Sequence, residues 1–98
     1  MRNQQRSRTL QQVRTTLSPS DVLAAAKDFF AQRSGIYSAF PERTGPTYLT
    51  LRGLGGEEIA IGVAASGGDT TVSASSYMFD QQVARFLSSL PPATEAVA

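Results

Sequence analysis

The sequence predicts a two-layer α+β domain, in which two amphipathic helices cover one face of an antiparallel sheet. Between residues 46 and 78, apolar and polar side chains alternate, which is typical of half-buried strands. Two glycine pairs, Gly55-Gly56 and Gly67-Gly68, divide this stretch where tight turns would need positive φ angles. Before and after it, apolar residues recur at the spacing of a helix face.

The predicted element order is β-α-β-β-β-α. The strands are expected at residues 10–17, 47–52, 57–65 and 70–78, and the helices at 19–33 and 80–90. The first strand is only weakly apolar, so we expect it at an edge of the sheet, with Arg14 protecting that edge. The residues expected on the buried face of the other strands are Leu49, Leu51, Ile59, Ile61, Val63, Val72, Ala74 and Met78.

The first helix has a well-marked start. Ser18 fits the N-cap, Pro19 the first helical position and Asp21 the third residue of a capping box. Gly35 suits a left-handed conformation just past the helix end. The apolar stripe expected to face the core is Val22, Leu23, Ala26, Phe29 and Phe30.

The second helix is predicted from Phe79 or Asp80, with Asp80 or Ser76 as its cap. Pro91 and Pro92 end it because proline has no N–H to continue the helix. Its core face is expected to consist of Phe79, Val83, Phe86, Leu87 and Leu90.

Residues 34–45 are predicted to form a loop that carries Ile36, Tyr37 and Phe40. Three large apolar groups in a loop have two explanations. They can fold back over an open end of the small core. They can instead form a surface that contacts a partner or a small apolar ligand.

The 98 residues are expected to form one domain at 10–92, with a basic arm at 1–9 and a short tail at 93–98. Residues 1–20 carry a net charge of +4 and residues 21–98 a net charge of −3. A basic arm therefore precedes a mildly acidic body.

Most catalytic chemistry has no residues to support it. The chain contains no histidine and no cysteine, so the commonest general base, metal ligand and thiolate nucleophile are missing. Gly53-Leu54-Gly55-Gly56 lies between two strands, whereas a phosphate-binding loop precedes a helix. Glu57 and Glu58 point to opposite faces of their strand. We therefore expect no enzymatic activity, no cofactor and no metal.

No apolar run is long enough to span a bilayer, and no apolar segment of a secretory signal follows the basic N-terminus. The sequence therefore predicts a cytoplasmic protein.

Over residues 10–90, the order of elements resembles a shortened START-related (helix-grip) domain. In that family a strand and helices precede a curved antiparallel sheet, which a C-terminal helix closes. The resemblance implies an apolar, lipid-like ligand enclosed between the helices and the sheet.

The first functional hypothesis is a small non-enzymatic accessory subunit that docks on a larger protein assembly. Its basic arm and its aromatic loop would make the contacts. The residues predicted to bind the partner are Arg2, Arg6, Arg8, Ile36, Tyr37, Phe40 and Leu54.

Two alternatives remain open. One is a module that binds a small apolar ligand near Phe30, Tyr37, Leu49 and Phe86. The other is a protein that binds an anionic surface, either membrane or nucleic acid, through the N-terminal arginines, including Arg14. A homodimer formed by pairing of edge strands is compatible with each hypothesis.

Overall fold

The computed structural model describes residues 9–93. The described chain contains five strands and two helices, in the order β1 (Thr9–Thr15), α1 (Pro19–Gln32), β2 (Ala39–Thr44), β3 (Tyr48–Gly53), β4 (Glu58–Ser66), β5 (Asp69–Ser76) and α2 (Asp80–Ser88). A 3₁₀ turn, Gly35–Tyr37, lies between α1 and β2. The strands form one antiparallel sheet in the order β1-β5-β4-β3-β2. The predicted two-layer α+β class is confirmed, and β1 is an edge strand as expected.

The prediction of one loop over residues 34–45 is wrong, because β2 forms the second edge of the sheet there. Only its first residue, Ala39, is buried. A register irregularity between Pro41 and Arg43 interrupts its pairing with β3. A strand with one buried residue and a bulge has no apolar period of two, so its sequence resembles that of a loop.

Both helices lie on the same face of the sheet, as predicted. The Phe86 ring of α2 is 5.5 Å from the Phe29 ring and 5.6 Å from the Phe30 ring of α1, measured between centroids. Phe30 and Phe86 are almost fully buried among the inward side chains of β3, β4 and β5. Burying an aromatic side chain contributes several kcal/mol to stability, so these rings fix both helices to one layer.

The two helices begin differently. The Ser18 hydroxyl accepts a hydrogen bond from the Asp21 N–H at 3.2 Å, which confirms the predicted cap of α1. At α2 the N-cap is Phe79 and no side chain caps it, so the predicted cap by Asp80 or Ser76 is wrong. The buried Ser76 hydroxyl instead donates to the Asp80 carboxylate at 2.9 Å. This hydrogen bond joins the end of β5 to the first turn of α2.

Buried hydroxyl groups also join other elements. Thr70 of β5 donates to the Leu17 carbonyl at 2.6 Å, and Thr15 of β1 donates to the Pro91 carbonyl at 2.6 Å. Both threonines are buried. A buried carbonyl without a hydrogen-bond donor lowers the free energy of unfolding. These two bonds therefore stabilise the segment before α1 and the segment after α2.

We expect Thr70→Val to lower the free energy of unfolding by about 1–3 kcal/mol, because the Leu17 carbonyl loses its donor while the side-chain shape is kept. Thr71→Val is the matched control, since Thr71 is the next residue of β5 and points to the open face. Its effect should stay within about 0.5 kcal/mol. Urea unfolding of both variants measures the difference. Equal effects would show that the Thr70 hydroxyl contributes nothing specific.

Candidate partner-binding surface

Large apolar side chains are exposed mainly at one end of the molecule. At this end β2 and β4 begin, β3 and β5 end, and α2 starts; Ala39 pairs with Gly53, and the Tyr77 N–H donates to the Glu58 carbonyl. We call the six exposed apolar residues there the apolar end: Ile36, Tyr37, Phe40, Leu54, Tyr77 and Met78. In the described chain, the two other large exposed apolar side chains are Leu10 and Tyr48.

The core supports the apolar end through Phe79. The Tyr37 ring packs edge-on against the Phe79 ring, with centroids 5.8 Å apart. Phe79 also lies close to Gly53, where a Cβ atom would come within 3.1 Å of the ring. Tyr37 and Met78 line a shallow groove of about 290 Å³ beside the start of α2. One side of the Tyr37 ring is therefore exposed, and its other side packs against a buried aromatic residue that holds the ring in place.

Leu54 is presented by a turn that several hydrogen bonds hold. The Gly55 N–H donates to Glu57 Oε1 at 3.0 Å. Arg52 donates from Nη1 to the Gly56 carbonyl at 3.1 Å and pairs from Nη2 with the Glu42 carboxylate at 2.8 Å. The hydrogen bond and the charge of Glu42 raise the pKa of Arg52 above its usual value. Leu54, which is 75% exposed, therefore projects from a braced turn.

Met78 departs from the sequence prediction. It was expected on the buried face of the last strand, but β5 ends at Ser76 and Met78 is 71% exposed. Its φ angle is +80°, which is unfavourable for a residue with a Cβ atom. The chain turns sharply here to begin α2. Backbone strain of this kind is concentrated at functional sites, which makes Met78 a candidate contact residue.

Four of the predicted partner-binding residues are exposed at this end of the sheet, namely Ile36, Tyr37, Phe40 and Leu54. Tyr77 and Met78 lie there too, but their sequence continues the alternation of β5 and is typical of a strand, so no pattern marks them as exposed. The predicted contacts Arg2, Arg6 and Arg8 lie outside the described residues, as do residues 94–98 of the predicted tail.

Although the arm is not described, the place where it joins the domain is. Thr9 pairs with Ser76, two residues before Met78. Residues 1–8 therefore join the described chain beside the apolar end. Thr9 and Ala93 belong to the folded part, since Thr9 is in β1 and the Ala93 N–H donates to the Arg14 carbonyl.

The residues of the two alternative hypotheses are arranged differently. Phe30, Leu49 and Phe86 are buried in the core with their side chains packed together, and Tyr37 is at the surface. A ligand between the helices and the sheet would have to displace these side chains. Arg14 Nη2 is 3.0 Å from Asp69 Oδ2, so this arginine already has an acidic partner.

Within residues 9–93, no three acidic, histidine or cysteine side chains lie close enough together to hold a metal ion. No helix in that range has the length and apolar character needed to cross a membrane. Comparison with protein-family models, with curated proteins and with solved structures found no match to this chain. The resemblance to START-related domains accordingly stays a prediction.

The strain at Met78 can be measured. We expect Met78→Gly to raise the free energy of unfolding by about 1 kcal/mol, because glycine adopts a positive φ without a Cβ clash. Met78→Ala removes the same exposed side chain but keeps the Cβ, so it should bring no such gain. Thermal and urea unfolding compare the two variants. If alanine is as stabilising as glycine, the backbone at residue 78 is not strained.

Proposed function

We propose that this protein is a small non-enzymatic accessory subunit that docks on a larger protein through its apolar end. The observation that carries the proposal is the concentration of six exposed apolar side chains at one end of a domain whose core is otherwise closed. Soluble monomers rarely expose contiguous apolar patches of more than about a few hundred Å², and larger patches mark interaction sites.

The composition of the apolar end matches that of a protein interface. Aromatic residues and methionine are enriched at the centres of interfaces, where they fill pockets of the partner. Tyr37, Phe40, Tyr77 and Met78 belong to these types. Ile36 and Leu54 are the most exposed members, at 79% and 75%, and would insert furthest into a partner.

Charge adds a second requirement for the partner. Arg2, Arg6 and Arg8 precede Thr9, which lies beside the apolar end. A partner that offers an apolar depression bordered by acidic side chains would satisfy both features. Such charge complementarity speeds encounter and fixes orientation more than it adds affinity.

We expect the double variant Ile36→Ser/Leu54→Ser to lose the partner while keeping its fold, since both side chains are largely exposed. Tagged chains expressed in the native organism are purified after mild cross-linking, and co-purifying proteins are quantified by mass spectrometry. The wild type should recover one protein in near-stoichiometric amount, and the double variant should recover little of it.

The matched control is Tyr48→Thr. It removes an exposed apolar side chain from the opposite part of β3, at a position that tolerates a β-branched residue. This variant should bind as the wild type does. If all three chains recover the same proteins, or if the control loses the partner as fully as the double variant, the apolar end is not the docking surface.

The contribution of the arm is tested separately on the recovered complex. Arg6→Gln/Arg8→Gln should slow association about tenfold at low ionic strength and much less at high ionic strength, because salt screens the attraction. Lys27→Gln/Arg43→Gln removes the same charge from exposed positions of the body and should have a smaller effect. Association rates measured by surface plasmon resonance at both salt concentrations distinguish the variants. Equal slowing would assign the effect to net charge alone.

A further inference from the structure

We propose that the outer edge of β1 pairs with the same edge of a second copy of this chain, forming one continuous antiparallel sheet across a homodimer. This inference rests on a different surface from the apolar end and does not depend on the docking proposal.

Part of the outer edge of β1 has no backbone partner among residues 9–93. The Arg14 carbonyl accepts from the Ala93 N–H, and the Thr16 N–H donates to the Pro91 carbonyl, so even-numbered residues point their backbone groups away from β5. By the alternation of a strand, Leu10 and Gln12 point outward too. Within the described chain, no backbone partner faces them on that side.

This edge already accepts a strand at one end. Pro92 forms an antiparallel bridge with Thr15. The described contact stops at Ala93, opposite Arg14. The edge therefore has the geometry for antiparallel pairing at Thr15, and among residues 9–93 no segment pairs with the outward backbone groups of Leu10 and Gln12.

The other edge of the sheet is protected. In β2, Phe40 pairs towards β3, so Ala39 and Pro41 point their backbone groups outward. Pro41 has no N–H to donate, and the irregularity between Pro41 and Arg43 breaks the strand. Proline, a bulge and charged neighbours are the usual protection of an edge strand. Over residues 9–13, β1 has neither a proline nor a bulge.

A second copy fits the free part of β1 in one register. If Gln11 lies opposite Gln11 of the other copy, Leu10 pairs with Gln12 in both directions. All outward N–H and C=O groups of these two residues then find partners. The pairing ends where Pro91–Ala93 begin to cover the strand. Residues 9–13 carry no charge, so the paired segments themselves do not repel each other, and the arrangement closes with two-fold symmetry.

The helical layer allows this approach. A depression lies between α1 and α2, and on the α2 side it is lined by Gln81, Gln82 and Arg85. The opposite flank of α2 therefore lies towards β1. That flank begins at the exposed Asp80, whose carbonyl accepts from Gln11 Nε2 at 3.1 Å, and continues with Ala84 and Ser88, both exposed and small. Because Ala84 and Ser88 have short side chains, they would not hold the helices of two copies apart.

Sedimentation velocity from micromolar to millimolar concentration tests the dimer. Gln12→Pro removes an outward N–H and leaves the backbone bonds to β5 in place; it also removes the bond from Gln12 Nε2 to Ser73 Oγ of β5, which Gln12→Thr removes equally. Leu10→Lys adds an edge charge. Gln12→Pro and Leu10→Lys should each raise the dissociation constant about tenfold or more. Circular dichroism checks that both variants fold, and Gln12→Thr, which keeps the N–H, should dimerise normally. A monomeric wild type, or a dimer that both variants leave unchanged, overturns the proposal.

The register has its own test, because the chain has no cysteine. Residues directly opposite in a non-hydrogen-bonded antiparallel pair have Cα atoms about 4.5 Å apart, within the range a disulfide spans. Gln11→Cys should therefore form a disulfide-linked dimer on oxidation. Val13→Cys should not form this disulfide. In this register Val13 lies opposite Thr9 of the other copy, so the two residues at position 13 are four positions apart along the paired strands. Equal cross-linking of both variants, or none of Gln11→Cys, contradicts this register.

Discussion

The packing of Phe86 against Phe29 and Phe30 is the contact on which the rest of the fold depends. It joins the two helices to each other as well as to the sheet. A five-stranded sheet has two faces. Because of this aromatic contact, both helices pack on the same face. The consequence, within residues 9–93, is a core closed on one face of the sheet, while neither helix covers the other face.

The two open edges of that sheet are not equivalent. In β2, Pro41 points its backbone outward but has no N–H to donate, and a bulge follows it. Another strand would therefore find few hydrogen-bonding groups on this edge. β1 has neither device, and the chain's own residues 91–93 pair with one part of it. Among the described residues, the two edges therefore differ in how much of their backbone is available to a further strand.

The sequence predicted the parts of the fold in which many residues repeat one signal. The face of Phe79, Val83 and Phe86 and the cap at Ser18 were found because period and position agreed over several residues. β2 was missed because Ala39 alone is buried there, so no period exists. Met78 was assigned to the core because alternation along β5 does not reveal where a strand stops. The strand stops at Ser76, the backbone reverses at Met78 with a positive φ, and the Ser76 hydroxyl bonds to Asp80 at the start of α2.

The candidate site shows the same division between local and tertiary information. Ile36, Tyr37, Phe40 and Leu54 could be selected from the sequence as apolar groups in turns, but their proximity could not. Gly53 and Phe79 account for the position of Tyr37, because the missing Cβ of the glycine leaves room for the Phe79 ring, against which Tyr37 packs. A substitution at Gly53 would therefore disturb the apolar end from below without removing any exposed side chain. The exposed residues and the two buried ones beneath them form one structural unit.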